Sequence, residues 1–221
     1  MPRSFLQRSF RSVLFTALLL GSAAGFAMVV QTPTGDVDVR TRAAGDRLPK
    51  EGIGRGRIGA PPERVFRALN DVAHWHEFMP FLEQSDAQRM KDGTIVSFQR
   101  LDLPFPLGRR SYRIRFRSRV ERTPSGPVWH ADWTYVPGSG NIRGHYGSWI
   151  LIAAGPSATL ATCSLYTDPG GMVPRSAIER GMTETLPWIF HGLRQHVRRS
   201  RYDGPDATSG ALRQTGPTSR Q

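Results

Sequence analysis

The segment Asp168-Pro169-Gly170-Gly171-Met172-Val173-Pro174 limits the fold of this chain more than any other stretch. Pro169 cannot extend a strand ladder, Gly170-Gly171 permit a tight reversal, and Pro174 suits the first turn of a helix. Behind it, Ile178, Met182, Leu186, Ile189, Leu193 and Val197 recur at helical spacing. The spacing predicts a long amphipathic helix, Pro174 to Arg199, placed after a series of strands. Such a helix must lie on a sheet, and its fit there decides whether a cavity remains beneath it. Pro187 removes one backbone hydrogen bond, and Gly181 and Gly192 soften the same element. A kink is expected, either as a gating lid or as a static match to sheet curvature.

Ahead of this helix the chain reads as strands. A short strand is expected around Arg55 to Gly59. Pro61-Pro62-Glu63 then opens a helix with Val65, Phe66 and Leu69 inward. Asn70 or Asp71 ends it and starts a second short helix that runs to Phe78 and is closed by Pro80. A meander of strands follows to Asp168. Its turns are Lys91-Asp92-Gly93, Thr123 to Pro127, Pro137 to Gly140 and Gly155-Pro156-Ser157. Residues 31–50 read as a linker, 51–200 as one domain, and 201–221, rich in Gly, Pro, Ser and Thr, as a disordered tail.

The first thirty residues read as a targeting segment. Arg3, Arg8 and Arg11 form a positive flank, and Val13 to Val30 carries no charge. Ser22-Ala23-Ala24 and Gly25-Phe26-Ala27 offer small residues at cleavage spacing. The uncharged run is also just long enough to span a bilayer. A cleaved signal and an uncleaved anchor both fit. Either one exports the remainder, to the periplasm or to a membrane surface facing it.

Cys163 is the only cysteine, so an exported domain has no internal disulfide. Flanked by apolar and small residues, it reads as a buried, inert thiol. The net charge is +12, with 28 Arg against 2 Lys, and loss of the first 27 residues with their three Arg leaves +9. No helix-turn-helix, zinc-finger or RNA-binding signature accompanies that charge, so nucleic acid is not expected as a partner. On the strand Ser111 to Arg122, period two sends Arg113, Arg115, Arg117 and Arg119 to one face. This row, roughly 20 Å long, is a solvated face or a patch for anionic headgroups. His130 and Asp132 on the next strand share a face, while Trp129, Ala131, Trp133 and Tyr135 take the other.

The order of these elements resembles the START-like superfamily, the helix-grip group that includes polyketide cyclases and coenzyme Q-binding proteins. Ala60 to Asp71 is similar to its opening helix, and Trp75-His76-Glu77-Phe78-Met79-Pro80 to its second helix and exit. Leu103-Pro104-Phe105-Pro106-Leu107-Gly108-Arg109-Arg110 resembles the loop that feeds a central strand. Tyr146-Gly147-Ser148-Trp149 and Asp168 to Pro174 resemble the approach to the gripping helix. The resemblance covers about Gly52 to Arg199. It implies an α+β fold of order β-α-α-β6-α, a curved antiparallel sheet around a long C-terminal helix, and an apolar cavity beneath that helix. It also implies binding of lipids, quinones, sterols or polyketides, with cyclases or hydrolases as a minority. On this reading the cavity is lined by Phe98, Phe105, Tyr112, Ile114, Phe116, Trp129, Trp133, Tyr146, Met182, Leu186 and Ile189.

No nucleophile-elbow, zinc-protease, paired-cysteine or phosphate-loop pattern occurs. His74 and His76 are two apart on a helix and face different ways, so no metal site is expected. His145 and Tyr146 alternate on a strand, and only one can reach the interior. Arg100, Asp102, Arg109 and Arg110 flank the Pro-rich loop as surface pairs or as a clamp for an acidic group. Tyr112, Tyr135, Tyr146 and Tyr166 could polarise a carbonyl in a cyclase. The sequence therefore supports a carrier or sensor of a hydrophobic small molecule, with no cofactor and with an anionic membrane surface as a further partner. A cyclase-like or hydrolytic enzyme of the same fold, or a structural module with a filled core, are the alternatives.

Overall fold

A computed structural model describes residues 27–43, 50–105 and 107–204. The proposed targeting segment up to Phe26, residue Pro106 and residues 205–221 lie outside these. Among the described residues, nine antiparallel strands form one sheet in the order β1-β2-β3-β9-β8-β7-β6-β5-β4. The strands are β1 (Met28–Thr32), β2 (Gly35–Arg42), β3 (Glu51–Ile58), β4 (Leu82–Arg89) and β5 (Ile95–Leu103). The rest are β6 (Gly108–Thr123), β7 (Gly126–Tyr135), β8 (Gly144–Ala153) and β9 (Thr159–Asp168). Helix α1 (Pro62–Asn70) and a 3-10 helix, Val72–Glu77, separate β3 from β4. Helix α2 (Arg175–His196) follows β9.

Three features differ from the sequence expectation. The second short helix is 3-10, with Phe78 N–H donating to the Trp75 carbonyl. The supposed linker contains a β-hairpin, β1–β2, hydrogen-bonded onto β3. Its Thr, Gly, Asp and Arg content reads as a loop, yet Val37 and Val39 alternate with polar residues and are fully buried. The expected tail also starts late: Tyr202 is buried, and its hydroxyl donates to Asp71 Oδ2 at 2.9 Å.

Alternation fixes which side chains face α2. On β6, Tyr112, Ile114 and Phe116 are buried, whereas Arg113, Arg115 and Arg117 are exposed. On β3 the inward positions are Gly52, Gly54 and Gly56, and α2 lies directly on them. A Cβ on Gly54 would stand 3.0 Å from the Phe190 ring, and one on Gly56 would stand 2.9 Å from the Arg194 guanidinium. The missing side chains bring the C-terminal half of α2 close to the sheet. All six stripe residues of α2, Ile178 to Val197, are buried. The helix continues through Pro187, which cannot donate to the Thr183 carbonyl.

Arg194 fastens the hairpin to this half of the helix. It donates to the carbonyls of Gly35 (2.7 Å), Asp36 (2.7 Å) and Arg57 (2.8 Å). Trp75 packs edge-on against Phe116 and Trp133, each with centroids 5.5 Å apart, and fills the concavity beneath α1 and the 3-10 helix.

Candidate ligand cavity

The glycine row of β3 meets α2 from Met182 onward, and the first turns of the helix border open space. Beneath the helix lies a cavity of about 540 Å3. Ile178, Met182 and Ile189 line it from the helix, Leu82, Tyr112, Trp133, Cys163 and Leu165 from the sheet, and Met79 and Phe81 from the turn after the 3-10 helix. Leu103 to Phe105 and Met172 to Pro174 border it from two loops. Phe105 and Met172 are essentially fully exposed, so the cavity opens between these loops. Two apolar side chains stand in solvent at its mouth, with the basic Arg109, Arg110, Arg143 and Arg175 on the flanking segments. Arg110 Nε donates to the Pro169 carbonyl at 2.9 Å and so joins the two loops.

The structure brings Phe105, Tyr112, Trp133, Met182 and Ile189 together around this space. Other expected lining residues lie elsewhere. Phe98 stands on the outer face, where the Arg113 guanidinium sits 5.7 Å from its ring centre. Its strand register pairs it with Arg113, so the inward neighbour is Gln99, paired with Tyr112. Tyr146 is also outward, stacked on Tyr166 with centroids 4.7 Å apart, and His145 is the inward residue of that pair. Ile114, Phe116, Trp129 and Leu186 do face inward, but close packing against α1, the 3-10 helix and β3 leaves them off the cavity wall.

Gln99, His145, Thr167 and Phe81 line the cavity without having been singled out for it. The phase of Ile95, Ser97, Gln99 and Leu101 along β5 was the available signal for Gln99. Phe81 carries positive φ (63°), an unusual conformation for a bulky residue. No such backbone state is readable from the sequence.

The ionisable groups of the wall are held in one state. Trp133 Nε1 donates to His145 Nε2 at 2.9 Å, and His145 Nδ1 lies 2.8 Å from Thr167 Oγ1. An indole only donates, so Nε2 accepts and the ring proton sits on Nδ1, directed at Thr167. Burial pushes the His145 pKa down to about 4, against the opposing pull of the Tyr166 backbone. Burial also raises the Cys163 thiol and the Tyr112 phenol well above their ordinary ranges. The ring is neutral at pH 7 with both nitrogens engaged, and the thiol is protonated.

The groups weighed as alternative sites lie outside the cavity. His130 faces away from it, with Nε2 3.1 Å from Glu121, and Asp132 pairs with Arg119 at 3.1 Å. Arg100 and Arg109 pair with Glu83 at the surface. Among the described residues no cluster of three His, Cys, Asp or Glu side chains is placed to hold a metal ion.

The fold recurs in solved structures. A STAR-related lipid transfer protein from Xanthomonas axonopodis superimposes with a TM-score of 0.65 at 22% identity, over 78% of this chain and 99% of that one. Human StAR-related lipid transfer protein 5 gives 0.61 at 16%, over 80% and 88%. An aromatase/cyclase from Streptomyces sp. R1128 gives 0.51 at 15%, over 68% and 94%. No curated protein sequence matches the chain. The family profile described as polyketide cyclase/dehydrase and lipid transport matches residues 58–194, more than half of the sequence. With its antiparallel sheet and C-terminal helix, the chain belongs to this START-like family.

Proposed function

We propose that the chain binds a hydrophobic small molecule, a lipid, quinone or similar compound, in the cavity beneath α2 and acts as a carrier or sensor. The observation that carries this reading is the cavity itself, about 540 Å3 and apolar over most of its wall, opening between Phe105 and Met172. Burying about 300 Å2 of ligand surface contributes on the order of 7 kcal/mol before ordering costs. Separation of the Leu103–Leu107 and Pro169–Pro174 segments admits the ligand. Solvent-exposed Phe105 and Met172, flanked by arginines, suit a mouth that touches an anionic membrane surface.

Native mass spectrometry of the chain from Met28 onward, purified without detergent and then extracted with organic solvent, tests this. A discrete added mass that extracts as an apolar compound is expected. A bare mass that stays bare after exposure to lipids and quinones would sink the reading. Binding to phosphatidylglycerol vesicles but not to phosphatidylcholine vesicles, lost in Phe105→Asp/Met172→Asp, tests the membrane contact.

A second reading, a cyclase-like enzyme, is favoured by one observation. The Tyr112 hydroxyl faces the cavity with no hydrogen-bond partner among the described residues and could polarise a bound carbonyl. Turnover of a polyketide-like ketone that is lost in Tyr112→Phe would establish it.

Export is part of the proposal. Strand β1 takes Met28–Thr32, so the uncharged run outside the sheet is Val13 to Ala27. That is the length of a cleaved signal's apolar core rather than of a bilayer span. Cleavage after Ala27 leaves Met28 to begin β1. The mass of the protein recovered from a periplasmic fraction should match residues 28–221; an intact N-terminus in a membrane fraction would favour the anchor.

A further inference from the structure

The cavity wall is not uniformly apolar. A polar band crosses the sheet at one level: Gln99 on β5, Tyr112 on β6, His145 on β8 and Thr167 on β9. Gln99 and Tyr112 are register partners, as are His145 and Thr167, and the Tyr112 and His145 rings are 5.1 Å apart. Half of this band is matched internally, through the Trp133–His145–Thr167 chain of hydrogen bonds. The other half is not. The Gln99 side-chain nitrogen is buried without a partner, and the Tyr112 hydroxyl has none among the described residues. Gln99 is 2% exposed and its nitrogen is shut off from solvent, while Tyr112 is 1% exposed and borders the cavity.

Two neighbouring donors with nothing to donate to are costly in an apolar enclosure. An acceptor oxygen on a bound molecule removes that cost. Among the described residues the cavity wall has no Arg or Lys, and its one carboxylate, Glu184, is on the exposed side of α2. An anionic headgroup would therefore be buried without a countercharge. A neutral carbonyl oxygen meets both conditions: it accepts from Gln99 and Tyr112 and brings no charge.

We propose that Gln99 and Tyr112 form a polar anchor that selects apolar ligands carrying a neutral carbonyl at their buried end, as in a ketone, ester or quinone. Pure hydrocarbons and carboxylates are discriminated against. The inference rests on the reading of the cavity as a ligand site. The His145–Thr167 pair fixes the Trp133 indole beside the anchor and gives the carbonyl a rigid wall.

The test is displacement of the fluorophore N-phenyl-1-naphthylamine from the full chain, purified as its host processes it. The competitors are 2-tridecanone, tridecane and tridecanoate. The proteins are wild type, Gln99→Met, Gln99→Leu and Tyr112→Phe, each checked by circular dichroism. The ratio of ketone to alkane affinity is expected to fall about tenfold in both Gln99 variants and severalfold in Tyr112→Phe, the loss of one buried hydrogen bond. Alkane affinity should stay within about twofold. An unchanged ratio in all variants, with the alkane still displacing the probe, overturns the anchor and leaves the cavity reading intact. Tridecanoate displacing the probe better than the ketone overturns the preference for a neutral oxygen. No probe uptake by folded wild type overturns the cavity reading and the anchor together.

Discussion

Arg194 on the last turns of α2 reaches 2.7 Å to the carbonyl oxygen of Asp36 on the β1–β2 hairpin. The contact closes the sheet's edge over the helix, and it uses a charged side chain that is 5% exposed, with three backbone carbonyls and the Thr32 hydroxyl as its acceptors. Replacing it with an apolar side chain strands three carbonyls. Arg194→Met is expected to lower unfolding free energy by about 2–3 kcal/mol, read as a lower urea midpoint at unchanged slope. A chain cut at residue 45 loses the same contacts together with Val37 and Val39, and should melt well below the chain that starts at Met28.

Glycines at opposite ends of α2 should respond in opposite directions. At Gly54, Val must displace the Phe190 ring and lift the helix, a loss of about 2 kcal/mol. At Gly181 an added Cβ meets nothing within 4 Å. Gly181→Ala should raise stability by about 0.5–1 kcal/mol through helix propensity. Thermal melts of the two variants decide it. A neutral Gly54→Val would mean that the helix does not rest on β3.

Acid should destabilise the fold in a defined window. Burial holds the His145 and His196 pKa values near 4, from an ordinary 6.5, with Arg201 adding to the depression at His196. A depressed folded-state pKa means that the unfolded chain binds protons first. The stability from keeping these rings neutral is complete above pH 6.5 and is lost as pH falls from 6.5 to 4, at about 1 kcal/mol per pH unit for each ring. His196→Gln, which keeps a hydrogen-bonding group beside the Tyr202 hydroxyl, should remove about half of that slope. Urea midpoints measured between pH 7.5 and 4.5 give the slope directly, and a flat profile between pH 6.5 and 5 contradicts the neutral buried rings.

Narrowing the cavity should separate binding from folding. Ala177 lines the mouth from the first turn of α2 and is exposed. Ala177→Trp should weaken ligand binding at least about tenfold, equivalent to about 1.4 kcal/mol of lost burial. Its melting temperature should stay within a few degrees of wild type. Unchanged ligand affinity would place the bound molecule elsewhere.

The long helix, the alternation on β6 and the glycine turns are visible in the sequence because each follows from a local rule. Ile178 to Val197 has helical period, Ser111 to Arg122 has period two, and Gly93, Gly126, Gly138 and Gly155 carry the positive φ their turns require. The hairpin was hidden because Val37 and Val39 sit among Thr, Gly, Asp and Arg, and Val30, which also packs on the core, falls in the uncharged run read as a targeting segment. The cavity wall was partly hidden for a different reason. Phe98 and Tyr146 are aromatic and Gln99 and His145 polar, so hydrophobicity alone selects the wrong member of each pair. The phase of the strand, set by Ile95 and Leu101 on β5 and by Trp149 and Leu151 on β8, selects the right one. Phe116, expected from the sequence to line the cavity, instead packs on Trp75 in the filled part of the core, where a charge would unfold the domain.

The glycine row of β3 supports α2 from Met182 onward. There the helix is seated on Gly52, Gly54 and Gly56, while its first turns border open space. Amide exchange should divide at Pro187, with protected sites after it and faster sites before it. Sequence drift can then act on two separate registers. Changes at Ile178, Met182 and Ile189 reshape the cavity wall, and changes at Phe190, Leu193 and Val197 reset the temperature at which the protein melts. A lineage could therefore reshape the cavity without first acquiring spare stability.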